Sequence, residues 1–427
     1  MLSLWKRLKA VLFGMPAASA HAPRARRRRR PRRKRPRLVP LRRRLQHERR
    51  WTQPTTCESP PYRFARQKLN LRTGEATGYF DLSQDGRLEQ LERWGLPVFF
   101  TPDELAGWLG LHVGRVAWLA DRVTWHRDVP LEKRCHYGYR FLKKRSDDWR
   151  LIEAPKPVLK EVQRKIHHGI LRRVPIHPAA HGFARGRSIV SNARPHVGRQ
   201  VILKLDLANF YTTIGYPRVV AIFRSLGYSR EAAVWLARLT TSRVPHNLKV
   251  PRGGKCNLYY YRQRHLPQGA PTSPALANLS AYSLDVRLSG MARAFGAQYT
   301  RYADDLTFSG DRRWERLLST FIPLVQQIIR SERFFVQHKK RQVIRRSQRQ
   351  VVTGVVVNER TGACRPDYDR LKAILHNCIR HGPSTQNRSN VSDFRSHLSG
   401  RIAHICQLDA AKGARLRWWF EQIDWSR

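Results

Sequence analysis

Residues 298–310 read QYTRYADDLTFSG, and the folding of this stretch decides how the rest of the chain is read. Gln298–Tyr302 and Leu306–Phe308 are strand candidates, because aromatic and β-branched residues (Tyr299, Thr300, Tyr302, Thr307, Phe308) flank a tight turn carrying Asp304 and Asp305. Two adjacent carboxylates at a hairpin tip repel each other unless a charge offsets them. Bound divalent cations do that, and hard oxygen ligands suit Mg²⁺. A solvated Asp pair in a turn is the plain alternative for this residue type. A third carboxylate in a matching context decides between the two.

That context is VILKLDLANFYTTI, residues 201–214. Val201–Leu205 is an apolar run broken only by Lys204, the pattern of a strand buried on both faces. Asp206 stands where the strand ends, before a turn toward a helix. An Asp there could simply cap that helix. Paired with Asp304 and Asp305, it becomes part of a set able to hold two metal ions about 3.5–4 Å apart for in-line phosphoryl transfer.

At this point a family resemblance appears. Asp206 leads a segment that resembles motif A of a reverse transcriptase palm, and Tyr302-Ala303-Asp304-Asp305 resembles motif C. Between them LPQGAPTSPALANL (266–279) is similar to motif B of bacterial reverse transcriptases. SNARPH (191–196), with Asn192, Ala193 and His196, and VVTGVVVN (351–358), with Thr353, Gly354 and Asn358, resemble segments of the retron branch. The collinear resemblance runs from about Leu151 to Asn358. It implies an α+β right-hand polymerase with fingers, palm and thumb, preceded by a helical N-terminal segment and a disordered basic tail.

The resemblance also implies roles. Asp206, Asp304 and Asp305 would be catalytic and would ligate two Mg²⁺, with Mn²⁺ as a substitute. Arg185 or Arg187, in HGFARGRSIVSN, would hold the incoming triphosphate, since a guanidinium fork matches phosphate geometry. Tyr211 would be the steric gate against a ribose 2′-OH, with Phe210 the neighbour that could instead be core. Gln268 would position the templating base or nucleotide, and Gly269 permits close backbone approach. Lys340, rather than Lys339, would approach the pyrophosphate as general acid. Asn192, His196, Thr353, Gly354 and Asn358 would belong to the family's RNA-associated segments.

Composition agrees with a polyanionic partner. The 427 residues carry a formal charge of +51, which predicts nucleic acid binding. Residues 1–50 hold 19 Lys and Arg against one acid, Glu48, so the remainder of the chain is strongly basic too. Six scattered cysteines without CxxC spacing argue against a zinc site and a disulfide framework. No apolar run approaches 18 residues, so no membrane span is expected and the cytoplasm is the expected location. Lys6, Arg7 and Lys9 before the apolar Ala10–Ala20 superficially copy a signal peptide, but Gly14 and Pro16 interrupt the run. A short amphipathic helix is the better reading.

Taken in order, residues 1–50 form a basic tail that cannot bury apolar area and should be disordered, making weak, salt-dependent RNA contacts. Residues 51–100 read as a linker, and 101–136 as an N-terminal helical segment opened by the capping box Thr101-Pro102-Asp103-Glu104. The helical pair after it also resembles a helix-turn-helix. Residues 137–200 would be fingers, with a basic hairpin turning near Ser146–Asp148 and a helix over Lys160–Arg173. The palm would span 201–365, with motifs A to D, a helix from about Ser273 to Arg293, another over Trp314–Arg333, and a strand over Val351–Asn358. A helical RNA-binding thumb, 366–427, would close the chain with helices at Tyr368–Arg380, Phe394–Leu408 and Leu416–Ile423.

The resulting expectation is a retron reverse transcriptase that extends a 2′-OH of a cognate structured noncoding RNA with dNTPs. Its product would be branched RNA–DNA (msDNA), its partners that RNA, the RNA–DNA hybrid and an effector protein of the same operon, and its setting antiphage defence. Alternatives are a group II intron-like or other bacterial reverse transcriptase, an RNA-templated RNA polymerase, and a non-enzymatic helix-turn-helix regulator.

Overall fold

The computed structural model describes residues 55–122, 135–144, 148–251 and 256–426. The expected basic tail and amphipathic N-terminal helix lie outside these residues, as does most of the turn expected at Ser146–Asp148.

The stretch read as a linker carries regular structure. Strands β1 (Thr55–Cys57), β2 (Arg66–Leu69) and β3 (Ala76–Asp81) form an antiparallel sheet in the order β1-β3-β2, followed by helix α1 (Leu88–Arg93). Apolar side chains without a clear period anchor it: Leu91, Leu96 and Phe99 are buried in the main core, and Phe99 stacks on Tyr228 at 4.7 Å. Long-range contacts, invisible to a local pattern, order this segment.

Helices α2 (Pro102–Leu109) and α3 (Val113–Leu119) follow. The capping box forms as expected, with Glu104 N donating to Thr101 Oγ1 at 3.2 Å and Thr101 N donating to Glu104 Oε2 at 3.3 Å. Leu105, Ala106, Leu109, Val116, Ala117 and Leu119 are all buried in the main core. The helix pair is therefore a packing element.

Strands β4 (Tyr137–Lys143) and β5 (Trp149–Pro155) form the basic antiparallel hairpin, and α4 (Pro157–Gly169) lies behind it. Then come α5 (Ile189–Ala193), β6 (Val201–Asp206), α6 (Tyr216–Ser225) and α7 (Arg230–Thr240). The long motif B helix is in fact two, α8 (Ser273–Ser280) and α9 (Tyr282–Ala294), joined at Ala281. Strands β7 (Gln298–Tyr302) and β8 (Asp305–Gly310) precede α10 (Arg312–Arg316) and α11 (Leu318–Ser331), which replace the single helix expected there.

Strand β9 (Gln342–Arg345) completes a four-stranded sheet in the order β7-β8-β6-β9. Its period-2 alternation gives it two unlike faces. Val201, Leu203 and Leu205 of β6, with Leu306 and Phe308 of β8, enter the main core. Ile202 points the other way, into a second core shared with the C-terminal helices, so β6 is buried on both faces as expected. Asp206 lies on the Ile202 face.

The expected strand over Val351–Asn358 is instead a small hairpin, β10 (Val351–Val352) and β11 (Val355–Val356). Thr353 (φ +47°) and Gly354 (φ +84°) make its turn. A Cβ on Gly354 would meet nothing within 4 Å, so this glycine serves a left-handed turn, not close packing. Helices α12 (Arg365–His381), α13 (Phe394–Leu408) and α14 (Ala410–Glu421) form the C-terminal helical unit around Leu371, Leu375, Leu398, Ile402 and Leu416. Among the described residues no helix is long and apolar enough to cross a membrane.

Candidate active site

The β-hairpin expected at 298–310 forms, and its register pairs Tyr302 with Asp305, leaving Ala303 and Asp304 as a two-residue loop. Ala303 takes φ +56°, a conformation that favours glycine and is strained for a residue with a Cβ. On the other side of β8, Asp305 lies directly opposite Asp206 of β6. Leu207 N donates to the Asp304 carbonyl at 2.9 Å, tying the turn to the strand end. The three carboxylates predicted from two segments thus occupy one corner of the sheet.

Burial and crowding both show in the acidity of Asp304 and Asp305. Burial, then the charges of Asp206 and Asp305, push the Asp304 carboxyl up to about 6. Asp305 is also raised, by burial first, with Asp206 adding and the Lys204 ammonium opposing. Lys340 Nζ sits 2.8 Å from Asp206 Oδ2, brought there because 335–340 runs beside the strand end, with Gln337 N donating to the Asp206 carbonyl at 2.8 Å. Among the described residues no three such side chains are drawn into a closed metal cage. What the corner has is the donor chemistry: hard oxygens, crowded negative charge and two flanking ammonium groups. These residues fit a hard divalent cation, whose charge would offset the repulsion that adds to burial in raising Asp304.

Tyr211 and Phe210 separate cleanly. Phe210 is buried at 4% exposure and packs its ring 5.6 Å from that of Phe334. Tyr211 is half-buried, and its hydroxyl is pushed up to about 12 by burial and then by the Asp304 charge. It therefore lies within electrostatic reach of Asp304. Opposing that shift are Arg301 and Arg150. Arg150, an exposed residue of β5, was not singled out from sequence. Its signal was its place on a basic hairpin, but only the fold brings that strand near Tyr211.

In motif B, the Gln268 carbonyl accepts from Glu153 N of β5 at 2.9 Å. Gly269 has φ +134°, and a Cβ there would lie 3.0 Å from the Glu153 carbonyl oxygen. The backbone that Gly269 admits so closely is the β5 strand. Beneath it, His265 Nε2 and Glu153 Oε2 lie 2.7 Å apart, both fully buried.

The arginines of 185–187 also differ. Arg187 Nη1 donates to the carbonyls of Pro178 and, at 2.9 Å, Ala180, so it braces its own loop. Arg185 is exposed. The loop itself touches the carboxylate turn, since a Cβ on Gly182 would lie 2.6 Å from Ala303 N.

Two residues grouped with RNA contact are placed otherwise. Asn192 and His196 are 1% and 0% exposed. His196 Nδ1 and Nε2 lie 2.7 Å from Ser309 Oγ and 2.8 Å from Thr300 Oγ1, bridging β8 and β7 from beneath. Asn192 Nδ2 donates to Thr353 Oγ1 at 3.4 Å, so the two retron-like segments meet each other. Asn358 closes the second segment, its Oδ1 accepting from Gln350 N at 2.8 Å. Asn192 and His196 are bolts of the palm, because fully buried side chains have no surface to offer an RNA.

Comparison with known proteins agrees with this geometry. Residues 142–357 match the reverse transcriptase (RNA-dependent DNA polymerase) family. The retron Mx65 reverse transcriptase of Myxococcus xanthus is 40% identical over 334 residues, covering 77% of this chain and 73% of that one. This chain belongs to the retron reverse transcriptases. The retron Mx162 enzyme of the same organism is 37% identical (77% and 68% covered), and the retron Ec86 enzyme of Escherichia coli 32% identical (64% and 77%). This reverse transcriptase is accordingly an RNA-directed DNA polymerase with an RNA template and deoxynucleotide substrates, built as a right-hand fold. The regulator reading falls with that assignment.

Proposed function

We propose that this reverse transcriptase copies part of a cognate structured noncoding RNA into msDNA, extending an RNA 2′-hydroxyl, within an antiphage defence system that includes an effector protein of the same operon. The observation that carries the chemistry is the convergence of Asp206, Asp304 and Asp305 at one sheet corner, with Tyr211 and Lys340 on its rim. Kinship with retron enzymes carries the primer and the product.

In this reading Asp206, Asp304 and Asp305 would hold two Mg²⁺, whose chemistry there would be to lower the pKa of the primer hydroxyl and offset charge on the leaving pyrophosphate. The hydroxyl loses its proton to solvent water, its oxygen bonds to the α-phosphorus of the dNTP, and the bond from that phosphorus to the α,β-bridging oxygen breaks, releasing pyrophosphate. Arg185, with Arg150 from the fingers hairpin, receives the triphosphate; Arg187 keeps the Arg185 loop in place. Lys340 leaves Asp206 to donate a proton toward pyrophosphate. Tyr211 rejects a ribose 2′-OH. Gln268 and Gly269 lock motif B to β5 and so set the floor under the nascent pair. Thr353, Gly354 and Asn358 lie on the RNA side of the palm, and the helical unit beyond 365 serves as the thumb along the RNA duplex, read mainly by shape.

The test is expression of the gene with its flanking DNA, followed by RNase treatment of total nucleic acid. A discrete DNA band should appear, shift after debranching, and vanish in the Asp304→Asn/Asp305→Asn double variant. Primer extension on generic RNA without such a band would leave the polymerase standing and remove the msDNA assignment.

A further inference from the structure

Arg301 is a fully buried guanidinium one residue before the carboxylate motif. Desolvating a charge is costly unless it is paired and hydrogen-bonded, so such a residue requires a reason. Its Nε and Nη2 donate to the two carboxylate oxygens of Asp285 at 2.8 and 2.7 Å, a bidentate fork with α9. Its Nη1 donates to Asn278 Oδ1 of α8 at 3.0 Å and to the carbonyl of Ala303 at 3.0 Å. The same Asn278 donates from Nδ2 to the Gly182 carbonyl at 2.8 Å, and Gly182 presses on the amide of Ala303. Arg301 Cζ also lies 5.9 Å from the Phe210 ring, next to Tyr211. One side chain therefore touches motif A, both motif B helices and the motif C turn.

We propose that Arg301, oriented by Asp285, is a positioning residue for nucleotidyl transfer: it clamps the Ala303 carbonyl and so holds the left-handed turn that aims Asp304. A turn of this shape with alanine at φ +56° persists only when its surroundings over-determine it. Arg301 holds the carbonyl of Ala303, and the Gly182 backbone lies close against its amide. Because the fork also anchors α8 and α9, the helices that follow the motif B loop and the carboxylates move as one body. This inference rests on the reading of Asp304 as a metal-holding carboxylate.

The experiment compares the full chain with Arg301→Lys, which keeps the charge but loses the fork. A second variant, Arg301→Met/Asp285→Leu/Tyr299→Phe, removes the buried ion pair together with the Tyr299 hydroxyl that donates to Asp285. Replacing a whole buried pair by apolar groups is often neutral for folding, so this variant decides if the lysine form does not fold. Folding is read by thermal melting, and activity by single-nucleotide extension with titrated dNTP and Mg²⁺. The expected result is a turnover roughly 10- to 100-fold lower, the loss that a displacement of about 1 Å causes. The dNTP KM should stay within about two-fold, and the half-saturating Mg²⁺ concentration should rise several-fold, the split expected when only an interaction of the reacting state is lost.

A folded variant with unchanged turnover and Mg²⁺ dependence overturns the inference, as does a loss confined to KM. Asp304→Asn is run in parallel. If it stays active, the carboxylate reading itself fails; if it is inert while the folded Arg301 variants match the parent, the positioning role alone fails.

Discussion

Lys340 Nζ lies 2.8 Å from Asp206 Oδ2, an ion pair in which the lysine is 59% exposed and the aspartate 11%. The lysine thus reaches from solvent to a carboxylate at the end of β6. Because the lysine end is exposed and screened by solvent, the pair contributes modestly to stability, about 1 kcal/mol. Lys340→Ala should therefore melt close to the parent while extending primers roughly 10²–10⁴-fold more slowly, the range of a lost general acid. Extension at the parental rate would remove Lys340 from the chemistry.

Tyr211 lies within electrostatic reach of Asp304, whereas Phe210 is buried against Phe334. Tyr211→Ala should raise the ratio of kcat/KM for ribonucleotides over deoxynucleotides by roughly 10- to 200-fold, the discrimination that small steric differences control. Tyr211→Phe, which keeps the ring, should leave it unchanged. Competitive incorporation on one RNA template measures both, and a Tyr211→Ala variant with the parental preference would rule out the gate.

Gly182 meets the turn from outside, where a Cβ would lie 2.6 Å from Ala303 N. The opposing atom is backbone and has little room to yield. Gly182→Ala should cost about 1–3 kcal/mol of stability through overpacking and reduce turnover by about 10²-fold through displacement of the carboxylates. Melting and extension rates together check this; a parental rate would mean that the turn tolerates the push.

His196 gives a pH dependence. Burial, with smaller contributions from the Arg199 and His181 charges, holds its imidazole down at about 3. The unfolded chain, near the ordinary value of about 6.5, binds a proton that the folded chain does not. A depressed imidazole therefore leaves stability intact above the unfolded value and erodes it as pH falls toward 3. Between pH 7.5 and pH 5 this amounts to about 2 kcal/mol. In His196→Asn, which cannot titrate, the difference in denaturation midpoint between these two pH values should shrink accordingly. An undiminished difference would assign the acid sensitivity to other groups.

The carboxylate hairpin, the strand end at Asp206, the Thr101 capping box and the polar signature of motif B were legible in the sequence because each is encoded by residues adjacent along the chain. Local alternation, turn chemistry and capping need no distant partner. The same local logic misjudged 51–100, whose Leu91, Leu96 and Phe99 join the main core, Phe99 stacking on the distant Tyr228. It also ran two pairs of helices together, at Ala281 and Leu317, because helical periodicity does not register one non-helical residue.

The use made of each polar group emerges only in the folded chain. Residue order alone tells which charged and aromatic residues this reverse transcriptase possesses, and that three aspartates belong together. It could not say that His196 and Asn192 are bolts, that Gly269 yields to the β5 strand, or that Arg301 turns inward to Asp285 while Arg150 stays exposed. Those outcomes depend on which face of a strand meets a packed helix. A guanidinium is tolerated inside only where a buried carboxylate and carbonyl oxygens from other segments converge on it, and that convergence exists only in the folded chain.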